Sequence, residues 1–467
     1  MATPVRELDD IQALVRTGFG SLDGASFLLL RVTDAAAARG WIAGHPPISA
    51  AGLSGGHATT AHQIAVSAPG LSALGIDLAG TAGFAPEFLQ GMSVDPGRSI
   101  RLGDVGANAP EHWRWGKAGE EPHLLLMLYA GRDMLPAFEA EMEAGLAGLA
   151  VIARLNATGN PATEPFGFAD GVSQPTLDWA GEREPGRRAD QRFTNMLAAG
   201  EILLGYGNEY GLVSDRPMAG DFDLGRNGSY VAMRSLVQDV DGFWAWAREA
   251  SGTGDGKALA EAIVGRRMDG CPVHGLPTAD IPGVGDRARN GFTYDTDADG
   301  HICPLGGHVR RANPRTGDLP GGPHGSIGTL LGALGFVGTA RDDAIASTRF
   351  HRILRRGRSY GMPGEEQGLH FLCLNANIAR QFEFVQGAWL ANPKFAGLDD
   401  EGDPVVGSRM PSPSGAPTDR FTRPDARGPC ARFTGLPRFV TVVGGGYFFL
   451  PGLRALRFIA GSENGVQ

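Results

Sequence analysis

Cysteine is scarce in this chain: Cys271, Cys303, Cys373 and Cys430 are the four in 467 residues, and no two form a CxxC pair. So few thiols over such a length exclude a disulfide-built scaffold and fit a reducing compartment. Cationic residues are also in the minority, with 42 Lys and Arg against 51 Asp and Glu and a net charge of −9. Nucleic-acid binders ordinarily carry the opposite excess, so no nucleic-acid partner is expected. Long apolar runs are missing. The longest, such as LLLMLYA at 124–130, are strand-sized and fall well short of the ~20 residues that a membrane span needs. The opening residues MATPVRELDDIQALV show neither a basic n-region nor an apolar h-region, which gives a cytoplasmic expectation.

What the chain does contain is ordinary for a globular protein: 42% hydrophobic and 20% charged residues, enough apolar material for a large core. Its 71 glycines and 31 prolines follow no strict repeat, so they point to long ordered loops rather than a fibre. Apolar runs and caps place strands at 26–33, 62–68, 122–130 and 148–157, with helices at 34–43 and 135–147 and helical material at 86–92. That order is the ferredoxin-like, split βαβ pattern. A second sheet-plus-helix half follows: a strand at 227–239, helices at 240–251 and 256–268, a strand at 369–376 and a helix at 377–390. The segment 438–452 reads as a strand pair or hairpin bent at three glycines. We therefore expect an α+β protein with an N-terminal half over 1–225 and a C-terminal half over 226–467. The stretches 269–365 and 393–430 are long and irregular, as functional loops often are.

Three segments carry candidate chemistry. HVRRANPR, 308–315, sets His308 before Arg310, Arg311 and Arg315. A neutral imidazole is a good iron ligand, and guanidinium groups pair readily with carboxylates. A haem offers both targets. The plainer reading is an arginine-rich surface loop. GFADG, 167–171, brackets Asp170 with glycines that permit unusual backbone angles; the plainer reading is an Asp capping a turn. RILRRGRSYG, 352–361, crowds Arg352, Arg355, Arg356 and Arg358 into one short stretch, either an exposed basic loop or the wall of an anionic pocket. His301, Cys303 and His308 match no common zinc spacing, and no GxSxG elbow is present.

Taken in order, GFADG, CPLGGHVRRANPR (303–315) and ILRRGRSYG (353–361) resemble the dye-decolourising peroxidases. GEILLGYGNEYG (200–211), GLHFLCLNANIARQFEFVQGAW (368–389) and FVTVVGGGYFFLP (439–451) extend the likeness over nearly the whole chain. The resemblance implies two ferredoxin-like halves, each an antiparallel sheet with helices, and one haem b per chain between the sheet and helices of the second half. It implies a haem peroxidase that uses hydrogen peroxide to oxidise small aromatic, phenolic or dye-like reductants by one-electron steps. His308 matches the axial iron ligand, Asp170 the distal acid/base and Arg355 the distal arginine, while Arg310 and Arg315 match positions near the haem edge. An alternative is a haem-handling protein with little turnover. The carboxylate partner of His308 is open, with Asp419 and Glu383 as candidates. Gly357 stands where some members have asparagine, and a long glycine-rich link before Arg355 leaves Arg352, Arg356 and Arg358 in competition with it. Trp244, Trp246, Trp389 and Tyr360 are either core residues or electron relays. An exposed β-edge would let copies of the chain associate as a homo-oligomer.

Overall fold

A computed structural model describes residues 4–55, 58–157, 159–160, 162–185, 193–317 and 348–461. The glycine-rich link after Gly317 lies outside the described residues. The first half is built from strands β1 (Gly24–Val32), β2 (Thr60–Val66), β3 (Leu124–Ala130) and β4 (Leu149–Ala157), with helices α1 (Ala35–Gly44) and α2 (Leu135–Ala144). Asp34 starts α1 by accepting hydrogen bonds from the Ala36 and Ala37 amides at 2.9 and 3.0 Å. β3 pairs antiparallel with both β1 and β2, and every one of its residues is buried. Covered on both faces, it has no need of polar alternation and reads as an unbroken apolar run. Each buried Leu there contributes roughly 1.5–3 kcal/mol.

The second half repeats the plan. Strand β5 (Ser229–Gln238) leads into helices α3 (Val240–Ser251) and α4 (Lys257–Val264). After these come α5 (His308–Ala312), the short strands β6 (Leu354–Arg355) and β7 (Arg358–Tyr360), and strand β8 (Gly368–Asn375). Helical segments Ala379–Glu383 and Val385–Leu390 precede β9 (Val440–Leu450). In each half the spatial order of strands is second, third, first, fourth, which is the ferredoxin-like arrangement. The two sheets are not separate. β9 of the second half meets β2 of the first through the pair Phe449–Val66, giving one nine-stranded sheet. Gln12 spans this seam: its Nε2 donates to Ile64 O at 2.8 Å and Pro451 O at 2.9 Å, and its Oε1 accepts from Ile64 N at 3.0 Å.

Two expectations need correction. The segment expected as a hairpin at 438–452 is the single strand β9, paired along its length with β5. Its glycines make room for tryptophan rings. A Cβ at Gly444 would lie 2.3 Å from Trp115 Nε1, and one at Gly445 would lie 3.2 Å from Trp113. The helix expected over 256–268 stops at Val264, because Gly265 takes a left-handed φ of +84°. Among the described residues no helix is long and apolar enough to cross a membrane.

Candidate active site

His308 opens the five-residue helix α5, which packs against Val385–Leu390 and α4. Two buried arginines fix this helix. Arg311 donates to the carbonyls of Gly306, Trp389, Asn392 and Glu401. Arg310 donates to Asp297 Oδ2 at 2.9 Å and to the carbonyls of Cys303 and Asp297 at 2.6 and 2.7 Å, with its guanidinium over the Tyr294 ring. The imidazole itself is tied through Nδ1, which sits 3.1 Å from both oxygens of Asp403.

Asp403 is the carboxylate that sequence reasoning could not find; neither Glu383 nor Asp419 takes this place. Glu383 is held by Arg98 at 2.7 Å and by the Tyr447 hydroxyl at 2.9 Å. Asp419 offers its backbone carbonyl to Leu436. Asp403 is fully buried and also accepts from the Val405 and Val406 amides at 2.9 and 2.8 Å. Burial pushes its carboxyl upward, but the charges and hydrogen bonds of His308 and Arg311 and the Val406 amide outweigh this and hold it below the usual carboxylate value. An ionised Asp403 keeps the ring proton on Nδ1 and leaves the Nε2 lone pair to bind a metal. The contact spans most of a hundred residues, so no local signal announces it.

Asp170 lies on the GFADG loop, where Gly167 and Gly171 adopt φ of +96° and +72°. Its Oδ1 accepts from Gly171 N at 2.6 Å, and the side chain is about one-third exposed. Of the four arginines in 352–358, Arg355 is the one that meets it, with Nη1 3.8 Å from Asp170 Oδ1. Its rivals are occupied. Arg356 donates to the carbonyls of Leu14 and Val15, and Arg358 to those of Gly18 and Phe19. Arg352 is buried and donates to Asn195 Oδ1 at 3.0 Å. Gln174, unremarked in the sequence, accepts from the Arg355 amide at 3.0 Å. At Gly357 a Cβ would meet His370 O at 2.7 Å, so the asparagine of some relatives would not fit this backbone.

One turn links the two parts of the site. The Gly265–Gly270 segment touches α5 on one side, where a Cβ at Gly265 would contact Val309 at 3.6 Å. On the other side Met268 O accepts from Ala169 N at 2.9 Å, beside Asp170.

The HVRRANPR arginines are therefore not a surface loop: Arg310 is buried and committed to Asp297 and backbone carbonyls. Arg315 is buried, donates to Asn290 and Phe292, and lies over the Phe292 ring. Burial pushes its guanidinium down to about 9. Its Nε, like Arg352 Nη1, has no hydrogen-bond partner among the described residues. Buried N–H groups of this kind are rare, and a carboxylate-bearing ligand would satisfy them. An imidazole whose Nε2 has no bond among the described residues, an acid facing an arginine, and unpartnered cationic donors together suit a haem. The Trp and Tyr candidates pack tightly: Trp244 Nε1 donates to Phe166 O at 3.1 Å, and Tyr360 stacks on His370.

No protein-family model matches the chain. The chain is 28% identical over 339 residues to a multifunctional dye peroxidase, DyP2, of Amycolatopsis, a match that covers 65% of this chain and 62% of that protein. It is 29% identical over 334 residues to the dye-decolorizing peroxidase AauDyP1 of Auricularia auricula-judae, covering 63% of this chain and 55% of that protein. The chain thus spans less than two thirds of the length of these relatives. The solved structure of a fungal DyP-type peroxidase from Auricularia auricula-judae superposes with a TM-score of 0.75 at 23% identity, over 98% of this chain and 100% of that one. At that identity the superposition speaks for the fold. The ordered motifs, these relatives and the shared fold point the same way: the chain is similar to the dye-decolourising peroxidases.

Proposed function

We propose that this chain is a haem peroxidase that uses hydrogen peroxide to oxidise small aromatic, phenolic or dye-like reductants by one-electron steps, with one haem b held by His308. The observation that carries the reading is the Asp170–Arg355 pair, an acid about one-third exposed facing a cation on a loop braced by the turn that backs α5. A haem-handling protein has use for His308 and none for such a pair.

Haem supplies an iron that accepts two oxidising equivalents from peroxide and passes them on one at a time. His308 Nε2 holds that iron, with Asp403 fixing the ring and raising its basicity. Arg315 Nε and Arg352 Nη1 are the donors we assign to the porphyrin carboxylates. Asp170 Oδ1 is already bonded to the Gly171 amide, so Oδ2 is the oxygen that takes a proton from one peroxide oxygen and returns it to the other. The Arg355 guanidinium stabilises the negative charge that develops as the O–O bond lengthens.

Asp170→Asn tests the reading. Ferric protein mixed with one equivalent of peroxide is followed by its absorption change. The variant should react roughly 10²- to 10⁴-fold more slowly, the usual contribution of a positioned proton carrier. A rate equal to that of the unaltered protein would place proton transfer elsewhere.

A further inference from the structure

The GFADG loop owes its shape to a carboxylate that the peroxidase reading leaves unassigned. Glu164 lies six residues before Asp170. Its Oε2 accepts from Phe166 N at 3.0 Å and from Gln238 Nε2 at 2.8 Å, and its Oε1 accepts from Phe168 N at 2.9 Å. Its backbone closes the same turn, with Glu164 N donating to Phe168 O at 3.0 Å and Gly167 N donating to Glu164 O at 2.8 Å. The phenylalanines thus held are buried in the cluster beneath α3. Gln238 ends β5, so the carboxylate fastens the loop to the central sheet. Immediately beyond the fastened residues, Ala169 donates to Met268 O and Asp170 faces Arg355.

Three donors converge on two carboxylate oxygens, and no cation supplies any of them. This is costly for a group with no other task. Burial pushes the Glu164 acid upward and the charge of Asp170 pushes it the same way, while the Gln238, Phe166 and Phe168 donors pull it down. An amide in its place would turn an N–H₂ toward at least one of those donors and break that hold.

We infer that Glu164 is a positioning residue for Asp170: its carboxylate, gripped by the Phe166 and Phe168 amides and by Gln238, sets the loop so that Asp170 meets Arg355. The inference rests on Asp170 being the proton carrier. In the sequence Glu164 stands just ahead of the GFADG segment.

The test compares Glu164→Gln, Asp170→Asn and the double variant as ferric holoproteins. Two readouts are taken: the rate of the absorption change with peroxide, and amide hydrogen exchange of the peptide covering 164–171. Glu164→Gln should slow the peroxide reaction about 10- to 100-fold, as expected when a hydrogen-bonded charge that orients a catalytic group is lost. It should also speed exchange of the Phe166 and Phe168 amides. The ferric spectrum should stay put, because the Glu164 carboxylate is engaged with the Phe166 and Phe168 amides and Gln238 rather than with His308. The double variant should react no more slowly than Asp170→Asn alone, since Glu164 acts through Asp170. Multiplying defects, unchanged exchange, or a Glu164→Gln rate within about twofold of the unaltered protein would overturn the inference. If Asp170→Asn reacts at full rate while Glu164→Gln still loosens the loop, the proton-carrier reading falls, and this inference falls with it. Should Glu164→Gln not fold, Gln238→Leu removes one of the three donors from outside the loop. It should give a milder slowing with the same non-additivity; independence from Asp170 would again refute the inference.

Discussion

Replacing Asp403 by Asn should change which nitrogen of His308 carries the proton. In the native site Oδ1 of Asp403 serves the Val405 and Val406 amides at 2.9 and 2.8 Å, and both oxygens lie 3.1 Å from His308 Nδ1. An asparagine has one acceptor. The two amides are fixed donors on the same chain turn and will claim it, leaving the N–H₂ pointed at the imidazole. Nδ1 must then accept, the proton moves to Nε2, and the lone pair needed for a metal is gone. Losing one hydrogen bond to a buried charge costs about 1.5–3 kcal/mol of stability. Removing the outer partner of a metal-binding His lowers metal affinity about 10- to 100-fold. Hemin titration by absorbance measures the affinity, and urea unfolding measures the stability. Arg311 will not mask the effect, because its donors are spent on backbone carbonyls. Hemin bound by Asp403→Asn with native affinity and an unaltered spectrum would refute the tautomer reasoning.

Two further outcomes concern stability. Burial pushes His370 down to about 4. The unfolded chain takes up that proton near the ordinary histidine value, ~6.5, so the contribution is present above pH ~6.5 and is lost as pH falls toward 4. By pH 5 the loss amounts to roughly 2 kcal/mol. His370→Gln, which can keep the 3.1 Å bond to Ser235 Oγ, should shrink the difference in unfolding free energy between pH 7 and pH 5 by about that amount; an identical difference in the variant would show that His370 does not titrate this way. Gly444→Ala should cost about 1–3 kcal/mol by overpacking, because its Cβ would fall 2.3 Å from Trp115 Nε1. An unchanged urea midpoint would mean that the Trp115 ring yields freely.

The regular elements were legible because local chemistry decides them. Asp34 caps α1, LLLMLYA reads as a buried strand, and the order of elements gives a ferredoxin-like first half followed by a second sheet-plus-helix half. What escaped was decided by neighbours distant in sequence. The glycines of β9 look like a bend until Trp113 and Trp115 are seen lying across them. His308 and Asp170 stand in short motifs, but Asp403 sits in a stretch with no periodicity, and its role exists only through contact with α5. Charge in a string carries no label for burial: Arg310, Arg311 and Arg315 are interior and donate to carbonyl groups, which the sequence does not show.

The seam of the long sheet is thin, a single backbone pairing of Phe449 with Val66 and one glutamine laid across it. Everywhere else in this sheet neighbouring strands share at least two rungs. The first dozen described residues therefore work as a clasp. Prising them away would break the Gln12 bridge together with the ties of Glu7 and Asp10 to Arg226, Asn227 and Arg454, although these residues belong to neither repeat.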